Sequence, residues 1–320
     1  MSKYKVVLTG TTWPEAYEKL LEQCEVKVWE GPGPLPRDQL LDWLADAEGL
    51  FNVGHVKVDE ELLDAAPNLR VIAQSSVGYD NIDVEACTRK GVPFGNTPGV
   101  LVEATADLTF GLLLSAARRI HEGWELVKAG QWRTVYGTDL YGKTLGVVGL
   151  GDIGSAVARR AKACGMNIIY HNRTRRPNDE QEGATYVSFD ELLTTSDCIV
   201  CLVPLSNHSR GMFSKEQFNK MKPTAYFVNA SRGPVVDTQA LYDALQQNKI
   251  AYAALDVTDP EPIPADHPLL SLSNILITPH IGSATYETRN SMANLAAENL
   301  LAGLSGKPLP TCVNQSVNYK

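Results

Sequence analysis

The feature that most constrains the fold of this chain is a short apolar run that leads through spaced glycines into a helical pattern. Thr144–Val148 is followed by Gly149, Gly151 and Gly154, and residues 155–164 then show helical periodicity. The G-x-G-x-x-G spacing in this context predicts a strand, a tight turn and a helix whose first amides can face a pyrophosphate. It indicates a Rossmann-type unit built on a parallel sheet.

Apolar runs and helical segments alternate along the rest of the chain. The runs are almost continuously apolar, as expected for parallel strands that helices cover on both faces. In the second half they comprise residues 144–148, 167–170, 197–203, 225–229, 251–257 and 275–278, with helices at 155–164 and 238–247. In the first half they comprise residues 6–8, 26–28, 50–52, 71–74 and 92–94, with helices at 15–22, 37–44 and 60–65. The alternation predicts an α/β fold with two doubly wound parallel-sheet domains.

Two longer helical patterns, at 100–127 and 287–304, indicate where the chain crosses between these domains. We therefore predict a substrate domain that consists of residues 1–99 and 288–320. The dinucleotide-binding domain, residues 100–287, is inserted into it.

Charge and hydropathy exclude several classes of partner. The 320 residues carry a net charge of −8, which argues against affinity for nucleic acid. The sequence has no apolar run of membrane-spanning length and no signal-peptide pattern at its start, so we expect a cytoplasmic location and no membrane partner. No metal site is expected, because Cys198 and Cys201 share one predicted strand and would point to opposite faces.

The end of the strand at 167–170 bears on which dinucleotide binds. NAD sites usually place an acidic residue there to hold the ribose hydroxyls, whereas this chain has Asn172. Arg173, Arg175 and Arg176 follow, and arginines can bind a 2′-phosphate that a carboxylate would repel. A solvated basic loop is the alternative. The predicted cofactor is NADP(H), with NAD(H) weaker. The residues expected to hold it include Gly149, Gly151, Asp152, Ile153, Gly154, Asn172, Arg173, Thr174 and Arg175.

Residues that suit proton transfer and anion binding follow each of the last three predicted strands. Arg232 comes after the strand at 225–229, Glu261 after 251–257 and His280 after 275–278. Ligands of open α/β sheets bind beyond the carboxyl ends of the strands, so these side chains converge if the strands are neighbours. His280 can then act as general acid, Glu261 can orient its imidazole, and Arg232 can bind a carboxylate in a fork. The set predicts hydride transfer to a small 2-keto acid.

These motifs together resemble the D-isomer-specific 2-hydroxyacid dehydrogenase family, and within it the glyoxylate/hydroxypyruvate reductases. The resemblance covers essentially the whole chain. Its motifs are the glycine loop and the segments at 76–83, 229–233, 255–264, 267–270, 279–285 and 299–303.

The resemblance implies roles that the residues alone do not. The backbone amides of Val77 and Gly78 would hold the substrate carboxylate together with Arg232. Thr105 and Asp256 would contact the nicotinamide half of the cofactor, and Val203 with Pro204 the adenine side. Further residues assigned on this basis are Ala230 at the cofactor and Val53, Ser76, His280 and Ser283 at the substrate. A homodimer through the 100–140 region is expected, and either subunit could supply Trp132 and Tyr136 to a site.

The predicted function is NADPH-dependent reduction of glyoxylate to glycolate and of hydroxypyruvate to D-glycerate. Other members of the family, of the phosphoglycerate or D-lactate type, stay open as alternatives. A corepressor-like scaffold that senses nucleotides is a further alternative, because such proteins can retain the same three residues.

Overall fold

The computed structural model describes residues 3–54, 56–177 and 183–318. It divides into two compact units. Unit 1 consists of residues 1–101 and 284–320, and unit 2 of residues 102–283. Which unit binds substrate and which binds nucleotide stays a prediction.

In unit 1, the described residues form a parallel sheet with the strand order β2-β1-β3-β4-β5. Its strands are β1 (Tyr4–Leu8), β2 (Cys24–Val28), β3 (Gly49–Asn52), β4 (Val71–Gln74) and β5 (Phe94–Gly95). Its helices are α1 (Pro14–Gln23), α2 (Arg37–Leu44), α3 (Glu60–Ala65), α4 (Val84–Arg89) and, at the end of the chain, α11 (Tyr286–Leu304). Pro14 opens α1 at a position where its missing N–H has no helical partner to lose.

In unit 2, the described residues form a longer parallel sheet with the order β12-β11-β10-β9-β6-β7-β8. Its strands are β6 (Thr144–Val148), β7 (Asn167–His171), β8 (Ala184–Tyr186), β9 (Cys198–Cys201), β10 (Tyr226–Asn229), β11 (Tyr252–Leu255) and β12 (Ile275–Ile277). Its helices are α5 (Val102–Arg118), α6 (Ile120–Lys128), α7 (Asp152–Ala163), α8 (Phe189–Thr195), α9 (Lys215–Lys220) and α10 (Thr238–Gln246).

Both faces of the unit 2 sheet are packed, which explains why its strands are almost wholly apolar. Cys198 and Val200 pack in the core on one face, whereas Ile199 and Cys201 pack in the core on the other. The two cysteines of the C-x-x-C spacing therefore point to opposite faces. Both are free thiols.

The structure corrects several predicted elements. The helix predicted at 100–127 is two helices, because Arg119 adopts a left-handed φ of 53° and breaks the hydrogen-bond ladder. Strand β8 was not predicted, since Ala184–Tyr186 is too short for a clear apolar run. The fifth strand lies at Phe94–Gly95 rather than at 92–94. The helix at the end of the chain, Tyr286–Leu304, packs within unit 1, which agrees with the expected return of the last segment to the first domain.

None of the described helices combines the length and the apolar character needed to cross a membrane. Among the described residues there is also no cluster of His, Cys, Asp or Glu able to hold a metal ion.

Candidate active site

The glycine loop of unit 2 joins β6 to α7. Gly149 has a left-handed φ of 100°, and a Cβ on it would lie 2.8 Å from the Leu202 backbone. A Cβ on Gly154 would lie 2.2 Å from the Gly149 carbonyl, so close packing of helix and strand requires this glycine. By contrast, a Cβ on Gly151 would meet nothing within 4 Å. Gly151 therefore borders open space at the start of α7, where a pyrophosphate fits.

Asn172, just after β7, binds the backbone of this loop. Its Oδ1 accepts the Leu150 amide at 2.7 Å, and its Nδ2 faces the Leu150 carbonyl at 3.4 Å. These two contacts stabilise the conformation of the glycine loop. Asp152 and Ile153 follow as the first residues of α7.

The arginines that follow Asn172 differ in exposure and in their contacts. Arg173, Thr174 and Arg175 are exposed. Arg176, in contrast, points its Nη1 at the Ser155 hydroxyl and lies 3.5 Å from the Gly151 carbonyl. Arg176, which the predicted set of binding residues left out, therefore contacts the glycine loop directly.

Strand order brings the three candidate catalytic residues together. Strands β10, β11 and β12 are neighbours, with Asn229 paired to Leu255 and Leu255 paired to Ile277. Their carboxyl ends are therefore level. Arg232, Glu261 and His280 all follow these ends on one edge of the sheet.

His280 and Glu261 form a direct pair. Imidazole Nδ1 lies 2.6 Å from Glu261 Oε1, and both side chains are partly exposed. This contact directs the opposite ring nitrogen, Nε2, away from the carboxylate. The arrangement is that of a histidine oriented by an acid for proton transfer.

The neighbouring loop that carries Arg232 is organised by Asn229, which is almost fully buried. Its Oδ1 accepts the Ser231 hydroxyl at 2.7 Å and the Ser231 amide at 3.1 Å, while its Nδ2 donates to the Arg232 carbonyl at 3.0 Å. Arg232 Nη1 also donates to the Ser231 carbonyl at 2.9 Å. Its guanidinium is thus partly buried at the strand end.

The predicted nicotinamide-side residues lie close to the His280 loop. The Asp256 carboxylate is buried and accepts the Thr278 hydroxyl at 2.6 Å and the amides of Ile281 and Gly282 at 2.8 and 2.7 Å. A Cβ on Gly282 would lie 3.3 Å from Thr105 Cγ2, so α5 also reaches this loop. Asp256 is therefore already engaged with the loop backbone.

The remaining predicted residues of unit 2 lie near the same sheet edge. Val203 borders Gly149, with its Cγ1 3.0 Å from where a Gly149 Cβ would lie. The Pro204 carbonyl accepts the Ser209 hydroxyl at 2.7 Å, and the Ala230 amide faces the Cys201 carbonyl at 3.4 Å. Ser283, partly buried, ends the His280 loop.

Unit 1 holds its predicted substrate residues at the carboxyl edge of its own sheet. The Thr9 hydroxyl donates to the Val53 carbonyl and accepts the Val53 amide, both at 2.8 Å, which fixes the backbone after β3. Ser76, Val77 and Gly78 follow β4 and are partly exposed. No acceptor in the described part of the chain receives the amides of Val77 and Gly78. These amides are suited to an anionic group.

Comparison with known proteins identifies the family. The model of the D-isomer specific 2-hydroxyacid dehydrogenase NAD binding domain matches residues 110–282. A glyoxylate reductase of Korarchaeum cryptofilum is 44% identical over 322 residues, covering 98% of this chain and 97% of that protein. The chain belongs to the D-isomer-specific 2-hydroxyacid dehydrogenase family. It is therefore related to oxidoreductases that bind a nicotinamide cofactor.

Solved structures with the same fold are also similar to this chain. A protein of Thermus thermophilus is 44% identical with a TM-score of 0.91, covering 97% of this chain and 99% of that one. The NADPH-dependent glyoxylate/hydroxypyruvate reductase of Sinorhizobium meliloti, solved with NADP and malonate, is 33% identical with a TM-score of 0.88 and covers 100% of this chain and 99% of that one. The family and the two-sheet α/β fold predicted from the sequence are confirmed.

Sequence reasoning missed three residues that the structure places at these sites. Arg176 was noticed as part of a basic run, but nothing local separated it from Arg173 and Arg175. Asn229 and Gln74 are polar residues at the ends of apolar strands. A polar residue at such a position was a sequence signal for a role at the carboxyl edge of the sheet.

Proposed function

We propose that this dehydrogenase reduces small 2-keto acids, glyoxylate and hydroxypyruvate among them, with NADPH as reductant and His280 as general acid. The observation that carries the proposal is the 2.6 Å contact between His280 Nδ1 and Glu261 Oε1 at the strand edge that also bears Arg232. The names of the K. cryptofilum and S. meliloti relatives support these substrates. The open space at Gly151 supports a bound dinucleotide.

When bound, the reduced nicotinamide supplies a hydride to the keto carbon. Negative charge then develops on the keto oxygen, and His280 donates a proton to it from Nε2, which yields the 2-hydroxy acid. Glu261 orients the ring through Nδ1 and stabilises its positive charge. Arg232 binds the carboxylate and polarises the keto oxygen. Within unit 1, the amides of Val77 and Gly78 are proposed to hold a carboxylate, and Ser76 and Val53, at the same edge of that sheet, complete the proposed set.

We propose NADPH rather than NADH because of the residues that follow β7. Asn172 offers no carboxylate for ribose hydroxyls and is engaged with the Leu150 backbone. Arg173 and Arg175 are exposed, and Arg176 lies at the glycine loop. Up to three cations there favour a 2′-phosphate.

We propose a homodimer that forms through unit 2, because large apolar side chains between residues 120 and 141 are exposed there. Trp132 is 94% exposed and Tyr136 84% exposed, and α6 buries none of its residues. The other large apolar side chains exposed there are Ile120, Trp124, Val127 and Tyr141. Of these side chains, Tyr136 lines a groove of about 800 Å³, whose other walls come from α6, from residues 133–135 and from the segment between Leu270 and Ile277. A patch of this kind marks an interface with a second copy. Sedimentation of Trp132→Ser against wild type tests it, since a wild-type monomer would contradict the proposal.

A kinetic comparison tests the activity. Purified enzyme is assayed with NADPH against glyoxylate, hydroxypyruvate, pyruvate and phosphohydroxypyruvate, each beside His280→Gln and Arg232→Lys. We expect kcat/KM to be highest for glyoxylate or hydroxypyruvate. Arg232→Lys should raise KM and lower kcat, because lysine cannot form the planar fork. Preference for pyruvate or phosphohydroxypyruvate would assign a D-lactate or phosphoglycerate type, and no turnover at all would refute the enzyme proposal.

A further inference from the structure

The loop after β4 has three successive carbonyls bonded to buried partners. The Ser76 carbonyl accepts the Thr97 amide at 3.0 Å, and the Val77 carbonyl accepts Asn96 Nδ2 at 2.9 Å. The Gly78 carbonyl accepts two hydrogen bonds, from Gln74 Nε2 at 2.5 Å and from the Ser76 hydroxyl at 2.8 Å. Thr97 and Gln74 are fully buried, and Asn96 nearly so.

Peptide geometry determines what this does to the amides. In a trans peptide unit the N–H points opposite to the preceding carbonyl. Holding the carbonyls of residues 76–78 on buried partners therefore turns the amides of Val77, Gly78 and Tyr79 away from those partners. None of the three donates to an acceptor within the described ranges. The loop thus presents three successive N–H groups, one more than the resemblance implied.

Gln74, buried in unit 1, holds the third of these carbonyls, that of Gly78. It is the last residue of β4 and is paired in register with Asn52 on β3. Its Oε1 accepts Asn52 Nδ2 at 2.9 Å and Asn81 Nδ2 at 3.0 Å. Because two donors face Oε1, the amide is oriented with Nε2 towards the Gly78 carbonyl.

We infer that Gln74 and Asn96 are positioning residues for the substrate carboxylate: Gln74 acts through the Gly78 carbonyl on the Tyr79 amide, and Asn96 acts through the Val77 carbonyl on the Gly78 amide. The inference rests on the proposed function for the identity of the anion. A buried amide could instead serve stability alone. The two roles differ in what they change, since positioning affects affinity for carboxylates and stability affects unfolding.

The test uses Gln74→Glu, which keeps the length of the side chain and an acceptor for Asn52 and Asn81. It replaces the donor to the Gly78 carbonyl by an oxygen that repels it. The matched control is Asn314→Asp, because Asn314 is also buried in unit 1 and donates to the Val92 carbonyl at 3.0 Å without contacting the loop. Measurements are KM and kcat for glyoxylate, the Kd of oxalate by calorimetry on the NADPH-bound enzyme, the Kd of NADPH, and Tm.

We expect Gln74→Glu to raise KM for glyoxylate and the Kd of oxalate about tenfold or more, because a hydrogen bond to an anion is misplaced. The Kd of NADPH should be unchanged. Asn314→Asp should lower Tm without changing either carboxylate constant. Wild-type carboxylate constants in folded Gln74→Glu would overturn the inference, as would an equal rise in the control.

A second variant covers the case in which Gln74→Glu does not fold. Asn96→Asp removes the donor to the Val77 carbonyl and should also weaken oxalate binding, and an unchanged Kd would overturn the inference. The experiment distinguishes failure of this inference from failure of the proposed function. Wild type that binds oxalate but reduces no 2-keto acid refutes the function alone, whereas wild type that does not bind oxalate refutes the positioning role.

Discussion

The side chain of Asp256 holds the backbone on which His280 lies. Its carboxylate accepts the two amides that follow His280, and its own carbonyl accepts the His280 amide at 2.9 Å. His280 adopts a left-handed φ of 54°. That conformation costs a non-glycine residue about 1 kcal/mol or more, so the surrounding hydrogen bonds must offset it.

Asp256→Asn should therefore lower both stability and kcat. The new NH₂ group would face backbone donors, and loss of one bond to a charged acceptor costs about 1.5–3 kcal/mol. Urea unfolding and steady-state kinetics measure the two effects. Asp259→Asn, an exposed site three residues further on, is the control. An Asp256→Asn enzyme with wild-type kcat would show that the loop does not need this carboxylate.

His280→Gln and Glu261→Gln separate proton donation from orientation. Removing the acid should lower kcat about 10²–10⁴-fold. Glu261→Gln should lower kcat less, because the imidazole remains and only its charged partner at 2.6 Å is lost. Calorimetric titration with NADPH should give wild-type affinity for both variants. A milder effect for His280→Gln than for Glu261→Gln would reverse the assignment.

The arginines after β7 should determine the choice between NADPH and NADH. Arg173→Ala and Arg176→Ala should each lower the ratio of the two specificity constants about tenfold, since a contact to phosphate is charge-assisted. Arg210→Ala, exposed elsewhere in unit 2, is the control. The preference should weaken as salt concentration rises. Equal use of both nucleotides by wild type would leave these arginines without a role in cofactor choice.

The buried thiols of the C-x-x-C spacing should be unreactive in the native protein. Burial raises the pKa of Cys198 to about 12 and that of Cys201 to about 11, so both stay protonated at pH 8. Cys164 is exposed. A thiol reagent at pH 8 should label Cys164 first, and Cys198 and Cys201 only after denaturation. Mass spectrometry of peptides from timed samples checks this, and fast native labelling of either buried thiol would contradict it.

Asp59 should make stability depend on pH in the acid range. Burial opposes its ionisation, but hydrogen bonds from Arg37 and from the Leu62 amide outweigh burial and lower its pKa from 3.8 to about 2. A depressed pKa contributes stability above pH 3.8 that is lost as pH falls through about 2.

Asp59→Asn keeps the helix cap and removes the charge. We expect it to destabilise the protein at pH 7 by about 1 kcal/mol, allowing for solvent screening. The difference between variant and wild type should fall to a small part of that value at pH 2, and it should vanish below that pH. Urea unfolding at both pH values measures it, and a difference that is the same at both would rule out the charge as its source.

Local pattern was sufficient for much of this protein. The glycine spacing predicted the turn between β6 and α7, because Gly149 adopts a left-handed φ and Gly154 packs against the Gly149 carbonyl five residues away. The alternation of apolar runs predicted two parallel sheets, and the rule for strand ends predicted that Arg232, Glu261 and His280 share an edge. These inferences need only short-range geometry and the direction of parallel strands.

Only the tertiary structure decided how side chains pair across strands. Strand order and register place Gln74 beside Asn52, bring Arg176 to the glycine loop, and set Asp256 under the residues after His280. The partners in these contacts lie 22, 25 and 26 residues apart in the sequence. Such hydrogen bonds depend on register and on loop conformation, which local periodicity does not encode. For this reason the sequence by itself determined which residues carry the chemistry, and the fold determined which residues hold them in place.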